Sequence, residues 1–321
     1  MCIALLSTAH PSYTLVLISN RDEFLSRPTA PADWWAPPNE NVLGGRDLLR
    51  KERGTWLGIT KQGRLAVLTN FREEGQIVVE AKSRGGIVNS FLTATGSTKD
   101  FVDGLFEHGA MENVGGFSLI CGVVGEPLAM VSNRFSHPDD VQWIGGKNDE
   151  TIGLSNAAVG DRSWPKVTAG EGKLKKAIQS SQSRKENHDL FITDLLRLLS
   201  TDTLPRCDSG QTLESCGKEL KKSIFIPVLG GDAVEGENAD QLAAAEIGEA
   251  DEVLEQPGPS AILGLSGRYG TQKQTVILVD HDQRVHFVEK TLSHLPGVSV
   301  DTSNLRKFEF KIDEPPSQEE L

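Results

Sequence analysis

The order in which the residue pattern changes along the chain constrains the fold more than any other sequence feature. β-prone runs come first, segments with helical spacing follow, and β-prone runs return after residue 223. Blocks of strands and helices, without strict alternation, are typical of antiparallel sheets with helices packed outside them. We therefore expect an α+β fold.

Two hairpins are predicted in the first 70 residues. The first joins residues 2–7 to residues 13–19 through a turn that contains Pro11, and the second joins residues 56–60 to residues 64–70. The first hairpin begins directly after Met1. The N-terminus is therefore expected to be built into a sheet.

The remaining elements are predicted from helical spacing and from continuous apolar runs. Helices are expected over residues 87–94, 100–108, 164–181 and 186–199, the last with Leu190, Leu195, Leu198 and Leu199 on its apolar side. Strands are expected over residues 117–124, 128–132, 223–229, 275–280, 284–289 and 308–312.

The acidic charge is concentrated in two segments. The formal net charge is −12, yet residues 232–255 hold nine acids without any Lys or Arg, and residues 313–321 hold four more, so the rest carries 33 − 32 = +1. We expect a single domain over residues 1–312, a flexible acidic insertion at 230–262 and a disordered acidic tail at 313–321. The pattern indicates neither a nucleic-acid groove nor a polybasic membrane patch.

The apolar runs and the cysteines indicate the compartment. Residues 2–6 and 15–18 are too short for a signal-peptide core, and no run approaches the roughly 20 apolar residues of a membrane span. Four cysteines in 321 residues, with no glycosylation sequon, favour a reducing compartment. We expect a cytoplasmic protein without a transmembrane segment, and no cofactor.

Cys2 is the most informative single residue. A small residue behind the initiator Met is what methionine aminopeptidase accepts, and removal of Met1 would place a thiol and a free α-amine on one residue. The amine titrates near ~7.7 to 8.0 and can act as the base for its own thiol. The alternative is that a small second residue occurs here by chance.

A polar block follows the strand that is expected to pair with the Cys2 strand. It reads Asn20-Arg21-Asp22-Glu23, and in an extended chain Asn20 and Asp22 share one face while Arg21 and Glu23 share the other. Asp22 can hold the α-ammonium, Arg21 can lower the thiol pKa, and Asn20 and Glu23 are ligand-binding candidates. The alternative is a solvated strand end with ion pairing.

Two weaker patterns are open to more than one interpretation. Trp34 and Trp35 either line an apolar ligand pocket or anchor a proline-rich loop to the core. His281, Asp282 and His286 offer metal-ligating atoms, but a solvated hairpin turn explains them better, so we expect no metal site.

The chain resembles a known family through short motifs spread in order from residue 2 to about residue 290. They are Met1-Cys2-Ile3, Asn20-Arg21-Asp22-Glu23, Gly54-Thr55-Trp56-Leu57-Gly58, Thr69-Asn70-Phe71-Arg72, Gly153-Leu154-Ser155-Asn156, Trp164-Pro165-Lys166-Val167, Ser223-Ile224-Phe225 and Tyr269-Gly270-Thr271. In these motifs the chain is similar to the transport and Golgi organisation protein 2 homologues, also called the NRDE family.

This resemblance implies a four-layer αββα sandwich of the N-terminal-nucleophile hydrolase type. The catalytic roles of the amidase relatives would then fall on Cys2, Arg21 and Asp22, with Asn70 and Asn156 as the amides that help to form the oxyanion site. The resemblance also implies a link with the Golgi or mitochondria.

The chain departs from the family pattern at two positions. The family commonly has Arg after Tyr-Gly-Thr and a basic residue soon after Ser-Ile-Phe, whereas this chain has Gln272 and Pro227. Arg268 is a candidate to replace the late arginine and bind ligand. The glycines around it equally suggest a flexible junction.

Three functions stay open at this point. The first is a Cys2 hydrolase that acts on an amide or thioester of an acyl lipid or acyl-coenzyme A. The second is a non-catalytic carrier of an acyl lipid or haem, which needs a pocket but no free amine. The third is a factor for Golgi organisation and secretion that works through surface partners.

Overall fold

The computed structural model of the protein describes residues 1–71, 83–107, 109–111, 114–145, 149–184, 187–205, 217, 219–230, 268–292 and 304–313. The strands in these ranges are β1 Ile3–Ser7, β2 Tyr13–Phe24, β3 Thr29–Trp34, β4 Val42–Asp47, β5 Leu57–Thr60, β6 Arg64–Asn70, β7 Phe117–Val123, β8 Leu128–Ser132, β9 Gln142–Ile144, β10 Thr151–Ser155, β11 Tyr269–Asp280, β12 Arg284–Thr291 and β13 Leu305–Lys311. The helices are α1 Arg84–Thr93, α2 Thr98–Glu107, α3 Pro165–Arg184 and α4 His188–Leu199.

The strands form two sheets in which every described pairing is antiparallel. The first sheet has the order β10-β1-β2-β11-β12-β13, and the second has the order β3-β4-β5-β6-β7-β8-β9. β1 therefore lies inside its sheet, between β10 and β2. This position ties the N-terminus to residues that are distant in sequence.

Each sheet buries both of its faces. Adjacent side chains of a strand point to opposite faces, so Leu6 and Leu17 pack between the sheets while Leu5 and Ile18 pack against α3 and α4. The outer face of the second sheet packs against α1 and α2 around Phe91. The result is an αββα sandwich, which confirms the expected fold class.

Burial on both faces also explains the sequence pattern. Strands that are covered on both sides read as continuous apolar runs, as residues 15–18 do, because no position faces solvent. The predicted hairpins and helices are present with small shifts at their ends.

The structure corrects three of the predicted elements. Residues 223–229 were expected as a strand, but only Leu229 makes an isolated bridge to Tyr269, because Pro227 lacks the N–H that a ladder needs. The proline-rich loop around Trp34 contains β3. Leu190 was expected on the apolar side of α4 but is 56% exposed, and its neighbour Phe191 is buried in its place.

The two acidic segments lie largely outside the described residues. The insertion at 230–262 is described only at Gly230, and the tail at 313–321 only at Asp313. Among the described helices, none is both long enough and apolar enough to cross a membrane.

Candidate active site

Cys2 directly precedes the first residue of β1. Ile3 pairs with Asn20 of β2 and with Ser155 of β10, so Cys2 is placed beside the polar block of β2 and beside Asn156. The Ser155 hydroxyl donates a 2.6 Å hydrogen bond to the Cys2 carbonyl oxygen. This hydrogen bond ties the carbonyl group of Cys2 to β10.

The polar block belongs to β2 itself. β2 continues to Phe24, and its register against β11 places Asp22 opposite Thr271 and Arg21 opposite Lys273, with a bulge between Thr271 and Lys273. The expectation of a solvated strand end does not hold for Arg21 and Asp22, because both side chains are buried. Buried charges need partners, and both residues have them.

Asp22 contacts Cys2 and the chain terminus together. Its backbone N–H donates to the Cys2 Sγ at 3.4 Å, and its Oδ2 lies 3.2 Å from the Met1 ammonium nitrogen. Its Oδ1 accepts a 2.7 Å hydrogen bond from the Thr271 hydroxyl. The orientation of this carboxylate is thus set by a neighbouring strand, which is the arrangement expected of a positioned ionic group.

Met1 occupies the space next to Cys2. Its ammonium donates to the Tyr269 hydroxyl, and its carbonyl oxygen accepts a hydrogen bond from the Lys166 ammonium. Burial lowers the pKa of this terminal ammonium; Asp22 raises it and Lys166 lowers it. The Met1 side chain packs against two small apolar clusters, which consist of Ala157, Trp164, Val167, Leu220, Ile226 and Tyr269.

Lys166 and Tyr269 are site residues that the sequence reasoning did not select. Lys166 is fully buried at the second position of α3, and burial lowers the pKa of its ammonium while Asp22 and Cys2 raise it. Burial also raises the pKa of Tyr269 well above its usual value. A signal for Lys166 was present: it lies four residues before Gly170 and eight before Leu174, on the buried face of the helix.

The thiol of Cys2 is held mainly in its neutral form. Burial raises its pKa, the Met1 ammonium lowers it, and the carboxylate of Asp22 raises it. The Asp22 N–H and the Arg21 guanidinium act in the lowering direction. The balance between opposing charges means that a change of one neighbour will move this pKa.

Arg21 is held by groups on three sides. Its guanidinium lies 4.6 Å from the centre of the Trp56 ring, donates to the Gln272 Oε1, and lies 3.9 Å from a carboxylate oxygen of Glu23. Gln272 stands where the family commonly has arginine. In this chain it orients Arg21 instead of supplying a second guanidinium.

The structure brings Asn70 and Asn156 together at the adjacent ends of β6 and β10. The Asn156 Nδ2 donates a 2.6 Å hydrogen bond to the Asn70 carbonyl oxygen, and the Thr69 hydroxyl donates to the Ser155 carbonyl oxygen at 2.7 Å. Asn156 is 8% exposed, and its Oδ1 accepts no hydrogen bond within the described residues. Asn70 itself is exposed.

The other ligand-binding candidates have different positions. Asn20 is buried and donates to the carbonyl oxygens of Leu199 and Ile224, at 2.8 and 2.9 Å, so it ties β2 to the end of α4. Arg268 directly precedes β11, and its carbonyl oxygen accepts a 2.7 Å hydrogen bond from Leu25 at the end of β2.

The tryptophan pair lies on the second sheet. Trp35 is buried and donates to the Gly44 carbonyl oxygen at 3.0 Å, and Trp34 packs edge-on against Phe310 with ring centres 5.0 Å apart. These contacts favour the interpretation in which the pair anchors the proline-rich segment.

Comparisons with known proteins show the family to which the chain belongs. The Transport and Golgi organisation 2 family profile matches residues 1–294. The Transport and Golgi organization protein 2 homologs of Homo sapiens and Bos taurus are 31% and 32% identical over 306 and 286 residues, covering 94% and 88% of this chain and 94% and 87% of those proteins. A solved structure, the Caenorhabditis elegans N-acylethanolamine-hydrolyzing acid amidase ortholog, is similar with a TM-score of 0.41 and 12% identity over 63% of this chain and 87% of that one. The match over most of the chain places it in the Transport and Golgi organisation 2 family.

Proposed function

We propose that the chain is a hydrolase that uses Cys2 as its nucleophile and cleaves an amide or thioester of an acyl group. The observation that carries the proposal is the position of Asp22. Its N–H contacts the Cys2 sulfur, and its carboxylate pairs with the terminal ammonium. One residue therefore contacts the thiol and the position of the chain terminus, the two elements that the mechanism needs.

The mechanism requires removal of Met1. In the folded chain the Met1 side chain is only 11% exposed, and its ammonium and carbonyl groups are bonded. An aminopeptidase has to bind these groups, so we expect Met1 to be removed before folding is complete. Removal leaves the α-amine of Cys2 near Lys166, whose positive charge disfavours protonation of that amine.

The reaction then proceeds in two halves. The free amine takes the thiol proton, and the thiolate attacks the acyl carbonyl carbon to give an oxyanion. We assign the stabilisation of this oxyanion to the second N–H of the Asn156 Nδ2, whose first N–H bonds to the Asn70 carbonyl oxygen. Collapse breaks the bond to the leaving nitrogen or sulfur, which takes the proton from the Cys2 ammonium. Water attacks the resulting acyl thioester and its proton passes to the amine. Collapse then breaks the carbon–sulfur bond, the carboxylic acid leaves, and the Cys2 thiolate regains the proton from the ammonium.

The acyl specificity is proposed from the surroundings of Met1. The residues that Met1 packs against include Trp164, Val167, Leu220 and Ile226, and loss of Met1 opens this apolar surface beside the thiol. An apolar slot with a few polar groups at one end suits the chain of an acyl lipid or of acyl-coenzyme A.

The test compares four proteins with decanoyl-coenzyme A as the probe. They are the processed wild type, verified by its mass, a chain with Leu inserted between Met1 and Cys2, Cys2→Ala, and Cys121→Ala as the buried-thiol control. We expect hydrolysis by the wild type and the control, and a loss of at least about 10³-fold in the other two. Equal rates in wild type and Cys2→Ala would refute the nucleophile.

A non-catalytic carrier of acyl lipid or haem is the second candidate. It is favoured by the way Met1 covers Cys2, because ligand binding needs neither the free amine nor the thiol. Binding of decanoyl-coenzyme A or haem without any hydrolysis by the processed chain would support it. A role in Golgi organisation is proposed only from the names of the relatives.

A further inference from the structure

A second group of reactive side chains lies at the other end of the first sheet. His188 begins α4, His286 lies in β12, and Glu309 lies in β13. His286 faces Leu278 of β11, which pairs with Val16 and so with the far end of β1 from Cys2. This group is therefore separate from the candidate active site.

The three side chains lie close together. His286 and Glu309 are direct cross-strand partners, and the His286 Nδ1 lies 3.3 Å from the Glu309 Oε1. The ring of His188 stacks on the ring of His286 with centres 4.3 Å apart and planes 20° apart. Because the nitrogen lone pairs lie in the ring planes, the two rings bind one ion only after the His188 ring turns out of this stack. One ligand atom from each of the three residues lies within 4.8 Å of the other two.

His286 has an unsatisfied nitrogen at this point. The residue is 6% exposed, and its Nδ1 makes no hydrogen bond within the described residues. A buried polar atom without a partner costs free energy, and a ligand that bonds to it would remove that cost. The Glu309 Oε1, 3.3 Å from this nitrogen, pairs with it only when His286 is protonated, and a cation bound between them would satisfy both atoms.

The donor set has the chemistry of a zinc site. Zn²⁺ binds imidazole nitrogens and carboxylate oxygens at ~2.0 to 2.2 Å, and two ligands of a tetrahedral ion are then roughly 3.4 Å apart. The separation between the His286 and Glu309 atoms already matches this value. Three protein ligands leave one coordination position for water.

The surrounding charges include one favourable and two unfavourable groups. The carboxylate of Asp189 lies 3.7 Å from the His188 Nε2 and adds negative charge. Lys307 lies 3.1 Å from that carboxylate and partly offsets it, and the N-terminus of α4 also disfavours a cation. Glu309 would add a negative charge in direct contact with the ion, which opposes both unfavourable groups.

We propose that His188, His286 and Glu309 form a binding site for a divalent cation of the zinc class. Such an ion would connect α4 with β12 and with β13, which is an edge strand in the described part of the sheet. The sequence pattern of His281, Asp282 and His286 does not predict this set. His281 is turned toward the Pro11 carbonyl oxygen, 2.9 Å from its Nε2.

The test is a titration of the full chain with Co²⁺, which reports its ligands by absorption. We expect one Co²⁺ per chain with visible d–d bands, no thiolate charge-transfer band, and displacement by Zn²⁺. His188→Ala and Glu309→Gln should weaken binding at least tenfold, and Zn²⁺ should raise the Tm of wild type but not of Glu309→Gln. His137→Ala, which removes an exposed histidine elsewhere, is the control and should bind as wild type does.

Absence of a Co²⁺ spectrum, or equal affinity in wild type and Glu309→Gln, would exclude the site. A thiolate band would place the metal on cysteines instead. Glu309 is more than half exposed, so this variant is expected to fold even if His188→Ala does not. Because the readout is metal binding, the result is independent of Cys2 chemistry.

Discussion

Two buried groups of oppositely charged side chains lie in the described part of the first sheet. They differ in how completely their polar atoms are paired. Lys273 and Glu289 lie on neighbouring strands with their charged atoms 3.6 Å apart, and both are almost fully buried. Lys273 also donates to the Thr291 hydroxyl, and Glu289 accepts from the Ala32 N–H, each at 2.8 Å. Each charge of this pair therefore contacts a further protein group as well as its partner.

The polar atoms of the group around Asp22 are less completely paired within the described residues. It contains a thiol, a chain terminus and a lysine; the Asp22 Oδ2 pairs with the Met1 ammonium at 3.2 Å, whereas the Asn156 Oδ1 accepts no hydrogen bond within the described residues. The Lys273–Glu289 pair links the first sheet to Ala32 in β3 of the second. Buried charge is common to both groups, so it does not set the candidate active site apart. The nearby Cys2 thiol and the buried Asn156 Oδ1 do, and the proposed Cys2 chemistry rests on them.

The largest expected effect is on the free energy of unfolding, and it concerns the Lys273–Glu289 pair. Glu289→Gln leaves the Lys273 ammonium buried without a counter-charge, so we expect the free energy of unfolding to fall by about 3 kcal/mol. The double variant with Lys273→Met should recover part of this loss. Urea denaturation measures both. A fall below about 1 kcal/mol in the single variant would show that the pair is not a structural link.

A smaller effect separates the two groups by thiol chemistry. Asp22→Asn removes a negative charge beside Cys2, and Arg21→Ala removes a positive one, so the thiol pKa should fall in the first variant and rise in the second. The pH dependence of iodoacetamide labelling at Cys2 measures this. Glu289→Gln is the matched control and should leave the midpoint in place. Shifts in the same direction in both variants would contradict the charge balance.

The smallest expected effect is a change in the pH dependence of stability. Burial lowers the pKa of Lys166 in the folded chain below its value of 10.5 in the unfolded chain. Between these two values the unfolded state holds more protons, so stability rises with pH by at most about 1.4 kcal/mol per pH unit. Lys166→Met should remove that rise, whereas Lys173→Met, at an exposed position of α3, should keep it. Urea denaturation at several pH values below 10.5 tests this. An equal slope in both variants would contradict the buried cation.

Much of the fold could be predicted because local pattern and burial agree. The hairpin that starts at Cys2 and the helices over α3 and α4 follow from alternation, spacing and proline placement. Residues 223–229 were wrongly predicted as a strand, because their apolar run outweighed Pro227, the residue that argued against ladder pairing. The prediction that Leu190 is buried was wrong because the neighbouring Phe191 occupies the buried face of α4.

The site was predictable only in part. Cys2, Arg21 and Asp22 belong to one hairpin, and the register of a hairpin follows from its sequence. Lys166 and Tyr269 reach the site through tertiary packing of α3 and β11, which local pattern does not encode. The zinc-class site has the same origin, because its three residues come from three separate elements.

The most direct measurement is the mass of the acyl-enzyme. The processed chain is mixed with p-nitrophenyl decanoate, quenched in acid at short times and digested with pepsin in acid, which keeps the Cys2 amine protonated and prevents transfer of the acyl group from sulfur to nitrogen. We predict a transient decanoyl group on the peptide that begins with Cys2, removable by hydroxylamine as a thioester and absent from Cys2→Ala. Absence of any decanoyl group from this peptide while p-nitrophenol is released, or labelling confined to other residues, would contradict Cys2 as the hydrolytic nucleophile.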